Sequence, residues 1–354
     1  MRITMRLPRR LVVCVILCLL IPNCCLGKKN RKKKDKSSGK ADHICRLTRG
    51  SKLTSFVKGA ANVQLPCRYI LTEFMCQSRT EVIAESSFSH DGRTYVSAVT
   101  VTTSRDVQNE QGKTVQESDV ASIDMNDLKK FVDEGNTDNI HWTTSGQALV
   151  DVSSGGTTWR LQDAYDPDVG QAVLRDGSKN LGVYLSYVDG KTDKSKKGNL
   201  TVVCTSPNFK ALSDSSGYLC GNAGNEQVAA DRGQHIKTAA ADLKLTTSQY
   251  LTYTVLVEQN VQQTNPMCKD ASEVTQKCTY PVEAVKICSE LLDSKTYSRC
   301  FMKYGIDPLE AYVQCVKWNC RRDVLSCRNL QASLRTCPGG GKVKKYLNCG
   351  GGGY

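Results

Sequence analysis

Between Gln64 and Gln259 the apolar positions come in short runs separated by Gly, Asp and Asn. Tyr95–Thr102 alternates apolar and polar residues, the period-two mark of a strand with one buried face. Ala148–Val152, Gly182–Val188, Asn199–Cys204 and Tyr250–Val257 are rich in β-branched and aromatic residues, so each reads as a further strand. Many strands with little helix predict a mainly β, sandwich-like or barrel-like body.

The period changes near the C-terminus. Asp307, Pro308 and Glu310 supply a capping acid, a proline at the first helical position and an acid in the first turn. Leu309, Tyr312, Val313 and Val316 then fall on one helical face. Val324, Cys327, Leu330, Leu334 and Cys337 predict another helix, ended by Pro338 and Gly339.

The N-terminus reads as a targeting segment. Arg2, Arg6, Arg9 and Arg10 precede the apolar run Leu11–Ile21, and the small residues Cys25 and Gly27 suit cleavage after Gly27. Eleven residues are too few for a membrane span, which needs roughly 18. Residues 1–27 are therefore expected to be a signal peptide and the product to be secreted, with no membrane span.

Charge separates the next segment from the rest. Lys28–Lys40 holds eight cations against Asp35 and has no apolar periodicity, which predicts a basic disordered tail over 28–42. Of the formal charge of +13, the signal and this tail account for all but +2. Lys28, Lys29, Arg31, Lys32, Lys33, Lys34 and Lys36 are candidate contacts for a sulfated polysaccharide; the alternative is a solvated leader trimmed at its basic residues. Secretion removes nucleic acid as a partner.

Four of the eighteen cysteines leave with the signal, and fourteen remain for an oxidising compartment. Cys45, Cys67, Cys76, Cys204, Cys220 and Cys268 flank the strand-rich region. Cys278, Cys288, Cys300, Cys315, Cys320, Cys327, Cys337 and Cys349 crowd the last segment. Both sets are even, so each can pair within itself, and parity is compatible with a monomer. No cysteine falls between Cys76 and Cys204, so packing has to hold the middle of the β body.

The order Cys45, Phe56, Cys67-Arg68-Tyr69-Ile70-Leu71, Cys76 and, far downstream, Gly217-Tyr218-Leu219-Cys220-Gly221-Asn222 resembles the von Willebrand factor type D domain. The series from Cys288 through Asp307, Pro308 and Tyr312 to Cys349 resembles the C8 module that commonly follows it. The resemblance implies a D-type β domain over 43–268, a helical C8-like module over 269–349 and a Gly-rich end at 350–354. It also implies that Cys45 pairs with Cys220, Cys67 with Cys268 and Cys76 with Cys204.

The chain departs from that pattern in two places. Where the family often has Gly-Asp-Pro-His, this sequence has Arg49-Gly50-Ser51-Lys52, so the self-cleavage tied to that motif is not expected. Where the family's Phe-Asp-Gly provides an acid for calcium, this sequence reads Phe56-Val57-Lys58. The loop Gly217–Asp231 still gathers Asn222, Asn225 and Asp231, whose oxygens suit a hard cation. With one sure carboxylate, Ca²⁺ is expected to bind weakly or not at all, and the loop reads first as a disulfide-anchored turn.

Asn199-Leu200-Thr201 is the only N-glycosylation sequon, and it follows the polar run 189–198. Catalytic motifs are absent: His43, His90, His141 and His235 are scattered, and there is no His-Glu-x-x-His, Gly-x-Ser-x-Gly, phosphate loop or Cys-x-x-Cys. These readings point to a secreted, non-catalytic protein that binds extracellular matrix or secreted proteins, or assembles matrix or mucus. A lipid-carrier-associated or venom component is the alternative, and a hydrolase the weaker one.

Overall fold

The computed structural model describes residues 43–48, 52–54, 60–76, 78–124, 143–144, 147–148, 157–163, 169–176, 181–189, 196–204, 209–211, 218–220 and 237–337, with Val343, Leu347 and Cys349. Strand β5 (Arg79–Phe88) shows how the sequence builds the first sheet. Thr80, Val82, Ala84 and Ser86 are buried, while Arg79, Glu81, Ile83 and Glu85 alternate onto the other face. Its neighbours are β4 (Arg68–Met75) on one side and the long hairpin β6 (Thr94–Gln108) and β7 (Thr114–Asp124) on the other. The short β14 (Lys210–Ala211) pairs with Phe74 and Met75 and completes an antiparallel five-stranded sheet.

A second antiparallel sheet has seven strands. It runs β10 (Thr157–Asp163), β11 (Val169–Asp176), β12 (Leu181–Asp189), β13 (Lys196–Cys204), β1 (His43–Thr48), β2 (Lys52–Thr54) and β3 (Ala60–Asn62). The chain thus returns after β12 to lay β13 beside the first strand, with Cys45 opposite Val202. A two-residue pair, β8 (Thr143–Thr144) and β9 (Gln147–Ala148), stands apart. Tyr95–Thr102, Gly182–Val188 and Asn199–Cys204 fall inside β6, β12 and β13 as expected. Of the run at 148–152, residues 149–152 lie outside the described residues.

The expectation of a mainly β protein is corrected: the architecture is mixed, with antiparallel sheets followed by a disulfide-rich helical part. The strand expected at Tyr250–Val257 is a helix, α1 (Thr247–Tyr253), running into a π-helical turn at Thr254–Glu258. Its β-branched content suggested a strand, but two local features favour a helix. Thr246 and Gln249 form a reciprocal capping box, with Thr246 N donating to Gln249 Oε1 at 2.8 Å and Gln249 N to Thr246 Oγ1 at 3.3 Å. Leu251 and Val255 are four apart, and both are buried.

The helices that follow are α2 (Pro266–Gln276), α3 (Pro281–Cys288) with a 3₁₀ turn at Ser289–Leu292, α4 (Ser298–Lys303), α5 (Pro308–Arg321) and α6 (Val324–Thr336). Helix α5 is the centre of this part. Asp307 caps it by accepting from Leu309 N at 2.8 Å, and Leu309, Tyr312, Val313 and Val316 are buried along one face. Val324, placed on the buried face of α6 by its spacing, is instead exposed at the first turn. Among the described residues no helix is long and apolar enough to cross a membrane.

The two parts share one core. Tyr69, Leu71 and Phe74 of β4 belong to the same cluster of buried residues as Leu200 and Val202 of β13, Leu251 and Val255 of α1, and Phe301 and Tyr312 of the later helices. Residues 40–354 accordingly form one compact unit.

Seven disulfides reinforce it. Cys45–Cys220, Cys67–Cys268 and Cys76–Cys204 close the β region, and they are the pairs the resemblance implies. Cys278–Cys320, Cys288–Cys315, Cys300–Cys337 and Cys327–Cys349 staple the helices. All fourteen cysteines therefore pair, six and eight, with no bridge crossing between the sets. In the loop-entropy account, a bond spanning 175 residues, such as Cys45–Cys220, restricts the unfolded chain by about 5 kcal/mol.

The β5–β6 hairpin turn docks on the helical part at its glycine. Gly92 has φ +72°, a conformation natural to glycine, and Ser298 Oγ donates to its carbonyl at the start of α4. A Cβ at Gly92 would lie 2.3 Å from Arg299 N. The β6–β7 turn repeats the geometry without the neighbour: Gly112 has φ +71°, its N–H donates to Asn109 O at 2.9 Å, and a Cβ would meet nothing within 4 Å. Gly92→Ala is therefore expected to lower stability by about 2–4 kcal/mol through strain plus a backbone clash, and Gly112→Ala by about 1 kcal/mol through strain alone. Denaturant midpoints of the two oxidised variants test this; equal losses would show that the docking contributes nothing.

Candidate functional site

The loop from Gly217 to Asp231 is rooted by Tyr218, Leu219 and Cys220, which the structure describes. The root is held by a defect in strand β4. Register slips between Ile70 and Thr72, so Leu71 bulges out of the β4–β5 ladder. Its carbonyl accepts from Cys220 N at 2.8 Å, while the Cys220 side chain is bonded to Cys45 of β1. One residue is thereby pinned to both sheets.

Two residues earlier, Tyr218 OH donates to Glu73 Oε2, and Arg79 Nε donates to Glu73 Oε1. Glu73 is 6% exposed, and both of its oxygens are engaged, so burial of its charge is compensated. Burial and the bond to Glu73 hold the Tyr218 phenol well above its ordinary range. Glu81, opposite Glu73 in the β4–β5 register, has its carboxyl pushed up by burial first and by the Glu73 charge second.

A second set of contacts secures the other end of β4. Where β14 does not reach, the amides of Gln259 and Gln263 take the place of a neighbouring strand. Ile70 N donates to Gln259 Oε1 at 2.9 Å and Gln259 Nε2 donates to Ile70 O at 2.9 Å. Arg68 N donates to Gln263 Oε1 at 3.0 Å and Gln263 Nε2 to Arg68 O at 2.7 Å. Each side-chain amide thus satisfies one residue's N–H and C=O, as a ladder would. The π-helical turn positions the first: Gln259 N donates to Thr254 O at 2.9 Å.

Beside this clamp, where the sheet meets the helices, lies a groove of about 380 Å³ lined by residues that include Pro66, Phe88, Asn265, Met302, Ile306 and Asp307. Asn265 caps α2 through Met267 N at 2.8 Å, and Asp307 caps α5, so both of these side chains are committed to helix ends. The lining is otherwise mostly apolar and suits contact with an apolar group rather than proton transfer.

Of the residues singled out from sequence, Asn222, Asn225 and Asp231 lie outside the described residues, as do Phe56, Val57, the basic tail Lys28–Lys40, His141 and His235. Asn199 is inside β13, opposite Ser186. It shares the outer side of that strand with Thr201, since Leu200 and Val202 are the buried positions. His43 lies in β1 and His90 in the β5–β6 turn, so the structure does not bring them to one strand or loop. Among the described residues no three His, Cys, Asp or Glu side chains are placed to hold a metal. Sequence reasoning missed Glu73, Gln259 and Gln263. The one available signal was the uncharged amide run Gln259, Asn260, Gln262, Gln263 and Asn265 directly before Pro266.

No family model matches the chain, and no curated protein matches it.

Two expected outcomes follow from this root. The raised Glu81 carboxyl costs stability at neutral pH, where it is ionised, and costs nothing well below its ordinary 4.5, where folded and unfolded chains are both protonated. Glu81→Gln should therefore raise the urea midpoint at pH 7, with the gap closing as pH falls through the range between the raised value and 4.5; a gap independent of pH refutes the assignment. Calorimetric titration of the oxidised protein with Ca²⁺ should show weak binding and little change in Tm against chelator. Micromolar binding that is lost in Asp231→Ala would overturn this.

Proposed function

We propose that this is a secreted, non-catalytic protein in which a von Willebrand D-type β domain and a C8-like module act together as a rigid extracellular binding unit, contributing to matrix or mucus assembly. The observation that carries the reading is the disulfide framework. Three bonds tie the ends of the β region in the order the family resemblance implies, and four more close the helical part within itself. Seven bonds of this kind mark an extracellular protein, because reducing compartments do not sustain them.

Further support comes from the economy of polar groups. The buried carboxylate Glu73 and the amides Gln259 and Gln263 are spent on architecture. What the β region and the seam offer to a partner is shape: exposed strand faces, an apolar groove and a disulfide-pinned loop root. Those features suit binding and assembly. A glycan on Asn199 would stand on the outer side of β13 and leave the shared core untouched. Even pairing of all fourteen cysteines is compatible with a monomer that assembles through non-covalent contacts.

Fractionation of the native secretion tests the proposal. The protein is expected in the high-mass fraction, released by chaotrope without reductant. Recovery as a free monomer in dilute buffer would refute a role in assembly. Turnover of ester, peptide or glycoside substrates that is lost on substituting a single His or Ser would refute the non-catalytic reading.

A further inference from the structure

The chain's last segment carries a charge asymmetry that neither packing nor capping uses up. From Arg321 to the C-terminus there are seven Lys and Arg against a single carboxylate, Asp323. Helix α6 itself, Val-Leu-Ser-Cys-Arg-Asn-Leu-Gln-Ala-Ser-Leu-Arg-Thr, has no acid at all. Asp323 is committed to the helix start, where it accepts from Leu325 N at 3.0 Å, Ser326 N at 3.3 Å and Ser326 Oγ at 2.8 Å.

Two of the cations share one helical face. Arg328 and Arg335 are exposed and seven residues apart, two helical turns, which puts them on one face of α6 about 10 Å apart along its axis. No residue three or four positions from Arg328 is acidic, and no described residue forms an ion pair with either arginine. At the entry to the helix, Arg321 and Arg322 are exposed as well. Arg322 closes α5 with φ 56°, a left-handed conformation that turns the chain sharply, and its guanidinium stands 5.4 Å from the centre of the Trp318 ring. At the far end a groove of about 260 Å³ is lined by Gln331, Leu334, Arg335 and Leu347.

Helix-dipole compensation accounts for one cation in each last turn, Arg321 for α5 and Arg335 for α6. It does not account for Arg328 in the middle of α6. We propose that the outer face of α6, together with the Arg321–Arg322 corner, binds a linear sulfated polysaccharide. A row of guanidinium groups matches a chain of sulfates in both charge and fork geometry. A lipid surface is the less favoured partner: the exposed apolar side chains on this helix, Val324 and Leu325, sit together in its first turn, whereas the cations continue to its last. The inference rests on the extracellular location and is independent of the family resemblance.

Arginine-directed labelling of the full-length secreted protein, read by mass spectrometry with and without a heparin oligosaccharide of defined length, tests the site residue by residue. Arg328 and Arg335 should be protected, and the double substitution R328Q/R335Q should weaken oligosaccharide binding about tenfold, as expected for the loss of two exposed ion pairs. Substituting two exposed lysines outside this face, K269Q/K295Q, removes the same charge and should leave the affinity unchanged. Tm should fall by no more than a few degrees in either variant, the loss of Arg335 from the last turn of α6 being the larger effect. Protection confined to Arg31 of the basic tail, an equal loss in both double variants, or binding to phosphatidylserine vesicles without binding to the oligosaccharide would each overturn the proposal. None of these outcomes bears on partition of the protein into the matrix fraction.

Discussion

The backbone of strand β4 cannot be left unpaired where it is covered, and the rest of the structure depends on how that demand is met. Beyond the reach of β14, the N–H and C=O of Arg68 and Ile70 are satisfied by Gln259 and Gln263. An unsatisfied buried pair would cost on the order of 1–3 kcal/mol per group, so the two amides hold the connecting segment as firmly as a strand would. From that position the chain enters α2, whose Cys268 is bonded to Cys67 at the start of β4. The hairpin turn at Gly92 meets α4 on the other side of the same seam. The sheets and helices thereby share one core, where a flexible linker would have left two.

The same strand fixes the loop root. The bulge at Leu71 frees the carbonyl that Cys220 uses, and the residue after next, Glu73, receives Tyr218 and Arg79. A bulge redirects backbone groups, so the root of the loop is held by a main-chain bond, a disulfide and a buried carboxylate. With Glu73 saturated, a cation at the loop would depend on the loop's own oxygens.

The surface and the interior of the helical part serve different ends. Inside, Cys288–Cys315 and Cys278–Cys320 fasten α5 to its neighbours, and Lys317 pairs with Asp270 of α2 at 2.6 Å. Outside, α6 presents arginines without carboxylates. A small helical part stapled by four disulfides can tolerate such uncompensated charge, because its stability does not depend on surface ion pairs.

The sequence by itself determined the features that depend on local period and on counting. Alternation located β6, and β-branched and aromatic runs located β12 and β13; Asp307 with Pro308 located the start of α5; and two even sets of cysteines anticipated two closed groups of bonds. Which cysteines pair within the helical part was not legible, because spacing leaves many connectivities open and only the packing of α5 against α3, with Cys278 brought to its end, selects among them. Tyr250–Val257 went the other way: β-branched residues argued for a strand, while the capping box at Thr246 and Gln249 and the burial of Leu251 and Val255 made a helix. Tertiary structure alone decided the roles of Gln259, Gln263 and Glu73. Each bonds to groups far away in sequence, up to 195 residues in the case of Gln263, and an amide or carboxylate carries no local mark of the partner that folding will bring to it.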